Sequence, residues 1–143
     1  MEIGLAYATK TNHSMKIAES IADELKIEAK NVKDHPVYSN VDLLILVGGI
    51  YGGESLPEMI EYVRTLTPVQ VKKVVLVTSC VSKKKYQESV RKELARNDVK
   101  IMDEFICQGN FLFVGMGHPD KKDIADAVAF VKESVAKLEV QSN

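Results

Sequence analysis

The chain has 143 residues, 45% of them apolar, and a formal net charge of -1 from 19 basic and 20 acidic side chains. That length fits one domain spanning 1–143, and the apolar share is enough for a sizeable core. The charge balance argues against a nucleic-acid or acidic-membrane binder, and no apolar run is long enough to span a membrane.

The elements follow in chain order. Ile3 to Tyr7 is a short apolar run that reads as a buried strand. From Ser14 the spacing predicts a helix, with Ala18, Ile21, Ala22 and Leu25 on one stripe. Ile27 to Val32 is partly polar and reads as an edge strand, and His35-Pro36 breaks the chain. Leu43 to Val47 is the most apolar run and predicts a central strand buried on both faces. Pro57 suits a first helical turn, with Ile60, Val63 and Leu66 following at helical spacing. Val74 to Val77 is another central strand, and a helix is expected from about Lys84 to Arg96 with Val90 and Leu94 inward. Ile101 to Cys107 is a more polar fifth strand, nearer an edge. The last helix is expected from about Asp120, with Ile124, Val128, Val131, Val135 and Leu138 on one stripe.

Strand and helix in alternation imply an α/β fold with a parallel sheet covered on both faces. Five strands in so short a chain fit the doubly wound order 2-1-3-4-5, whose ligand crevice lies outside the carboxyl ends of strands one and three. The loops after strands one, three and four must line it.

The first of these loops is Thr9-Lys10-Thr11-Asn12-His13-Ser14. Its clustered hydroxyls stand before a helix N-terminus, whose unpaired N–H groups and partial positive charge suit an anion such as phosphate. One residue among Asn12, His13 and Ser14 would suffice if the loop served only as a helix cap. The second loop, Gly48 to Ser55, has four glycines in six residues. They permit close backbone approach to a ligand, and Tyr51 among them offers a flat face on which a planar heterocycle could stack. A Gly-rich turn with Tyr51 folded onto the surface is the alternative. The third loop, Thr78 to Ser82, supplies hydroxyls, amides and the Cys80 thiol.

The first loop resembles the phosphate loop of the flavodoxins, in which a Ser/Thr-rich segment holds the phosphate of FMN. Tyr7 matches the aromatic residue before that loop, Thr9, Thr11 and Ser14 match its hydroxyl positions, and Ala18 matches the small residue one turn later. Gly48-Gly49-Ile50-Tyr51-Gly52-Gly53 is similar to the flavodoxin loop that contacts the isoalloxazine, and residues 105–133 are similar to the ending of many short flavodoxin-like proteins. Lys10 and Asn12 stand where flavodoxins usually have glycines. Asn tolerates the left-handed region, and Lys10 adds a charge that could pair with a phosphate dianion.

The resemblance implies a flavodoxin-like three-layer sandwich that binds FMN. It assigns the phosphate to Thr9, Lys10, Thr11, Asn12, His13 and Ser14, and the ring to Gly49, Ile50, Tyr51, Gly52, Gly53 and Glu54. Amides of Ser79, Cys80, Val81 and Ser82 would face the pyrimidine edge. A turn of the Gly52-Gly53 or Gly53-Glu54 peptide would favour one-electron steps, and Glu54 near the ring would lower the potential. No metal is implied and no residue is assigned as catalytic. The implied role is an electron carrier between redox-partner proteins, a reductase and an acceptor, working as a monomer or weak dimer. An FMN-dependent oxidoreductase, such as a quinone or flavin reductase or a protoporphyrinogen-oxidase-like protein, is the alternative, and a flavodoxin-fold binding module without flavin is another. Receiver domains need an Asp where Gly48-Gly49 stand, and small phosphatases need an Arg soon after Cys80, where Val81-Ser82-Lys83-Lys84-Lys85 follow. The N-terminus has no basic stretch leading into an apolar one, so the expected compartment is the cytoplasm, with Cys80 and Cys107 reduced. Lys83, Lys84 and Lys85 oppose a helix dipole and read as a solvated cluster or a docking patch for an acidic partner. Asp120 reads as the cap of the last helix.

Overall fold

A computed structural model describes residues 1–51, 53–80, 87–108 and 121–142. The elements are β1 (Ile3–Tyr7), α1 (His13–Leu25), β2 (Ala29–Asn31), a 3-10 turn (Val32–Asp34), β3 (Val41–Tyr51), β4 (Glu54–Ser55), α2 (Pro57–Arg64), β5 (Val71–Cys80), α3 (Glu88–Arg96), β6 (Lys100–Gln108) and α4 (Lys121–Ser142).

Five strands pair in parallel in the order β2-β1-β3-β5-β6, and the two-residue β4 pairs antiparallel with β3. Without β4, this is the doubly wound order expected from the alternation of elements. The two polar strands lie at the two edges, as their composition predicts. Leu43, Leu44, Ile45, Leu46 and Val47 are wholly buried in the middle. Their side chains alternate between two cores. Leu44 and Leu46 pack with Met59, Tyr62, Val63, Val90 and Leu94 from α2 and α3. Leu43, Ile45 and Val47 pack with Ile17, Ile21, Ala127 and Val131 from α1 and α4.

Three elements differ in detail from their sequence signals. The inner face of α2 centres on Met59, Tyr62 and Val63, leaving Ile60 half-buried. That of α4 centres on Ala127, Val131, Ser134 and Leu138, with Ile124, Val128 and Val135 at its margin. Small residues let that helix approach the sheet closely, so hydrophobicity alone misplaces its centre. The helix expected from about Lys84 is described only from Glu88, and Lys83, Lys84, Lys85 and Asp120 lie outside the described residues.

The β6 edge carries an irregularity. Ile101 stands level with Val74 but Asp103 with Val75, so Met102 is an extra residue. Beside it the Asp103 carboxylate accepts a hydrogen bond from the backbone N–H of Glu104 at 2.8 Å.

At the opposite end of the sheet from the loops, two tyrosines tie the segment after β2 to the core. Tyr38 donates to the carbonyl of Leu5 at 3.0 Å, and Tyr62 donates to that of Pro36 at 2.7 Å. Burial pushes the Tyr38 phenol up to about 12, and it raises that of Tyr62 as well. An unfolded tyrosine ionises near pH ~10, so between about 10 and 12 the unfolded chain releases protons that the folded chain retains. Stability is therefore fully present below pH ~10 and falls as pH rises towards ~12. Melting temperature followed with tyrosinate absorbance should show unfolding and ionisation in one step. Tyr38→Phe with Tyr62→Phe should move that step to higher pH.

Candidate functional site at the carboxyl ends of the strands

Register brings the three loops together. Tyr7 pairs with Val47, and the next amide, that of Ala8, donates to the Val47 carbonyl at 3.0 Å. The chain leaves β1 at Thr9, two residues beyond that pair, just as Gly49 is on β3. Gly49 pairs with Ser79 on β5. Connections from β1 and β3 run to opposite sides of the sheet, so this is where the strand order reverses.

The first loop enters α1 through Asn12, which stands in the left-handed region at φ 66° and makes no side-chain capping bond. Asn12 thus takes a conformation suited to glycine, and the carbonyl of Asn12 accepts the first helical bond, from Lys16 at 3.1 Å. The loop does not use its hydroxyls to cap the helix. Among the described residues Thr9 Oγ1 and Ser14 Oγ are both buried without a hydrogen-bond partner, and Ser14 is fully enclosed. An unsatisfied buried hydroxyl costs about 1–3 kcal/mol, so these two are expensive to keep in this state. Thr11 and Asn12 are exposed, and His13 is half-buried.

The second loop is mostly strand. β3 runs on through Gly48, Gly49 and Ile50 to Tyr51, and a hairpin pairs Ile50 with Ser55 and Tyr51 with Glu54. Gly53 takes φ 86°, the left-handed geometry that a two-residue hairpin connection requires; Gly52 lies outside the described residues. The Tyr51 ring folds back over Gly49, where a Cβ would come within 2.8 Å of it. The ammonium of Lys10 stands 5.7 Å from the centroid of that ring, within cation–π range. First loop, aromatic ring and glycine strand are thereby in one place. The Glu54 carboxylate turns towards α3, accepting from Ser89 Oγ at 2.6 Å. Ser79 is half-buried and Cys80 ends β5 opposite Gln108, while Val81 and Ser82 lie outside the described residues. Among the described residues no group of His, Cys, Asp or Glu could hold a metal ion, and no helix is long and apolar enough to cross a membrane.

The model of the flavodoxin domain matches residues 5–134. The chain belongs to the flavodoxin family. Solved structures similar to it include a flavodoxin from the Archaea, with 12% identity and a TM-score of 0.72 over 97% of this chain and 99% of that one. Flavodoxin 2 from Bacillus cereus is 16% identical, with a TM-score of 0.64 over 96% and 99%. A flavoprotein in complex with FMN from Lactobacillus acidophilus is 11% identical, with a TM-score of 0.59 over 73% and 92%. At such identities the likeness concerns the fold. No curated protein matches by sequence.

Sequence reasoning misses one polar centre in this flavodoxin. Glu104 of β6 has a side chain only 1% exposed. Its carboxylate accepts from Thr78 Oγ1 at 2.8 Å, from the backbone N–H of Gln87 at 3.2 Å, and from the Arg91 guanidinium. Gln87, itself fully buried, donates its carboxamide N–H to Thr78 Oγ1 at 3.0 Å. Its trace in the sequence is Asp103-Glu104 set between Ile101-Met102 and Phe105-Ile106.

The orphaned hydroxyls give a stability test. Ser14→Ala and Thr9→Val remove buried polar atoms that no described residue satisfies. Without ligand, each variant should unfold in urea at the same or higher concentration, with a gain of up to ~1 kcal/mol. A clear loss of stability would show that the hydroxyls have partners within the protein.

Proposed function

We propose that this flavodoxin-family chain binds FMN in the crevice between β1 and β3 and carries electrons in single steps between redox-partner proteins. The observation that carries the reading is the pair of buried hydroxyls, Thr9 Oγ1 and Ser14 Oγ, without partners among the described residues, beside a helix end whose N-cap residue makes no side-chain capping bond. A phosphate supplies what that place lacks: acceptor oxygens for hydroxyls and amides, and negative charge for a helix N-terminus. The family match and a structural neighbour that holds FMN support the choice of cofactor.

FMN would supply the redox chemistry, and the protein's part is to bind and tune it. Thr9, Thr11, Ser14 and the amides from Lys10 to Ser14 hold the phosphate, with Asn12 giving the loop its left-handed turn and His13 beside it. Lys10 can exchange its contact with the Tyr51 ring for the phosphate charge, which would also leave the ring's face open. Gly49, Ile50, Tyr51, Gly52, Gly53 and Glu54 flank the isoalloxazine. Gly53, at φ 86° and with no described atom within 4 Å of where a Cβ would stand, gives its peptide the conformational freedom to turn a carbonyl towards the ring. Ser79, Cys80, Val81 and Ser82 offer amides to the pyrimidine edge. The working form is a monomer or weak dimer in the cytoplasm, with a reductase and an electron acceptor as partners.

Titration with FMN and with riboflavin, followed by absorbance, tests the clasp. The unsubstituted protein should prefer FMN. Ser14→Ala should weaken FMN by about tenfold, the worth of one good hydrogen bond to a charged group, and leave riboflavin unchanged. Absence of FMN binding would reject the cofactor. Stepwise reduction that proceeds only by electron pairs would favour the oxidoreductase reading over the carrier.

A further inference from the structure

Burying a carboxylate adds little to stability, because desolvation offsets the attraction between the charges. The position of Glu104 therefore calls for a reason beyond holding the core. β6 is an edge strand, and Glu104 stands level with Leu76, short of the loops. Its hydrogen bonds, however, converge on the first turn of α3. Gln87 is the residue before that helix, and it makes no side-chain capping bond of its own. The cap comes instead from Glu104, which accepts the Gln87 backbone N–H and places a negative charge at the positive end of the helix. Arg91, one turn on, donates to the other carboxylate oxygen.

From that same turn, two side chains reach the β3–β4 hairpin. Ser89 Oγ donates to the Glu54 carboxylate at 2.6 Å. The carboxamide oxygen of Gln87 accepts from the buried Ser55 Oγ at 3.5 Å, and a Cβ on Gly48 would lie 3.0 Å from it. Ser55 and Glu54 are the residues paired with Ile50 and Tyr51. The path is continuous: carboxylate of β6, first turn of α3, β4, aromatic strand end.

We propose that Glu104 is a positioning residue for the hairpin that presents Tyr51. Through Gln87 and Ser89 it sets how Ile50 to Glu54 meet the flavin ring. This rests on the FMN reading, and the two fail differently. The phosphate clasp is built on the β1–α1 loop and, once Lys10 has left Tyr51 for the phosphate, does not depend on the hairpin, so loosening the hairpin should affect FMN and riboflavin alike. Glu104→Gln keeps the shape but sets an uncharged amide against the Arg91 guanidinium. It should weaken both ligands by the same factor, about tenfold, with their ratio unchanged, and should shift the midpoint potential of the bound flavin. Ser89→Ala leaves the buried carboxylate intact and cuts only the last link. It should do the same to a smaller extent, about threefold.

Measurements belong well below the melting temperature of each variant. Unchanged affinity and potential in both, even with a lower melting temperature, would overturn the proposal and leave Glu104 a structural residue. If Glu104→Gln does not fold, Ser89→Ala decides alone by the same criterion. A change in the FMN-to-riboflavin ratio would put the effect at the phosphate loop and would also overturn it. Failure of the unsubstituted protein to bind FMN rejects the cofactor reading and, with it, this one.

Discussion

A strand covered on both faces cannot carry a polar side chain until it leaves the core. β3 meets this constraint with five successive residues of zero exposure, Leu43 to Val47, and the rest of the molecule is arranged around it. Its odd and even side chains supply the two cores, so helices must lie on both sides. Its neighbours follow the same apolar rule where they flank it, β1 from Leu5 to Tyr7 and β5 from Val74 to Val77. Polar chemistry is thus pushed to the strand ends, where Thr9, Gly49 and Ser79 emerge from adjacent strands.

The same constraint explains what could be read from the sequence. β1, β3 and β5 are legible because burial on both faces leaves continuous apolar runs. The edge positions of β2 and β6 are legible because Lys30 and Asp103-Glu104 could not sit in the middle. The first loop is legible because its hydroxyls exceed what a helix cap needs, and Asn12 takes the left-handed conformation that its residue type allows. Gly48 to Tyr51 looks like loop because glycine carries no strand preference, yet pairing with Ser79 and Ser55 makes it strand. Glu104 is illegible for a different reason. Its partners Arg91, Gln87 and Thr78 are 13, 17 and 26 residues away, and no local pattern announces a contact that only the fold creates.

The two polar centres contrast. Around Glu104 every strong group is satisfied from within, which fixes a helix end and a hairpin in one arrangement. At Ser14 and Thr9 the hydroxyls are buried without partners among the described residues. The first centre is complete among the described residues, and the second leaves its hydrogen-bonding capacity unused there. Between them Tyr51 rests on Gly49 beneath the Lys10 ammonium, one strand pairing from the residue that Ser89 holds.

The edge of the sheet at β6 bears on life in a crowded solution. A regular edge strand offers a ladder of free donors and acceptors on which another chain can grow. Here the extra residue at Met102 breaks the spacing of that ladder, and the Asp103 side chain already engages the amide of Glu104. An incoming strand would find the repeat out of step. The distortion acts as a stop on sheet extension, discouraging the strand-by-strand association that can turn a folded α/β protein into an aggregate.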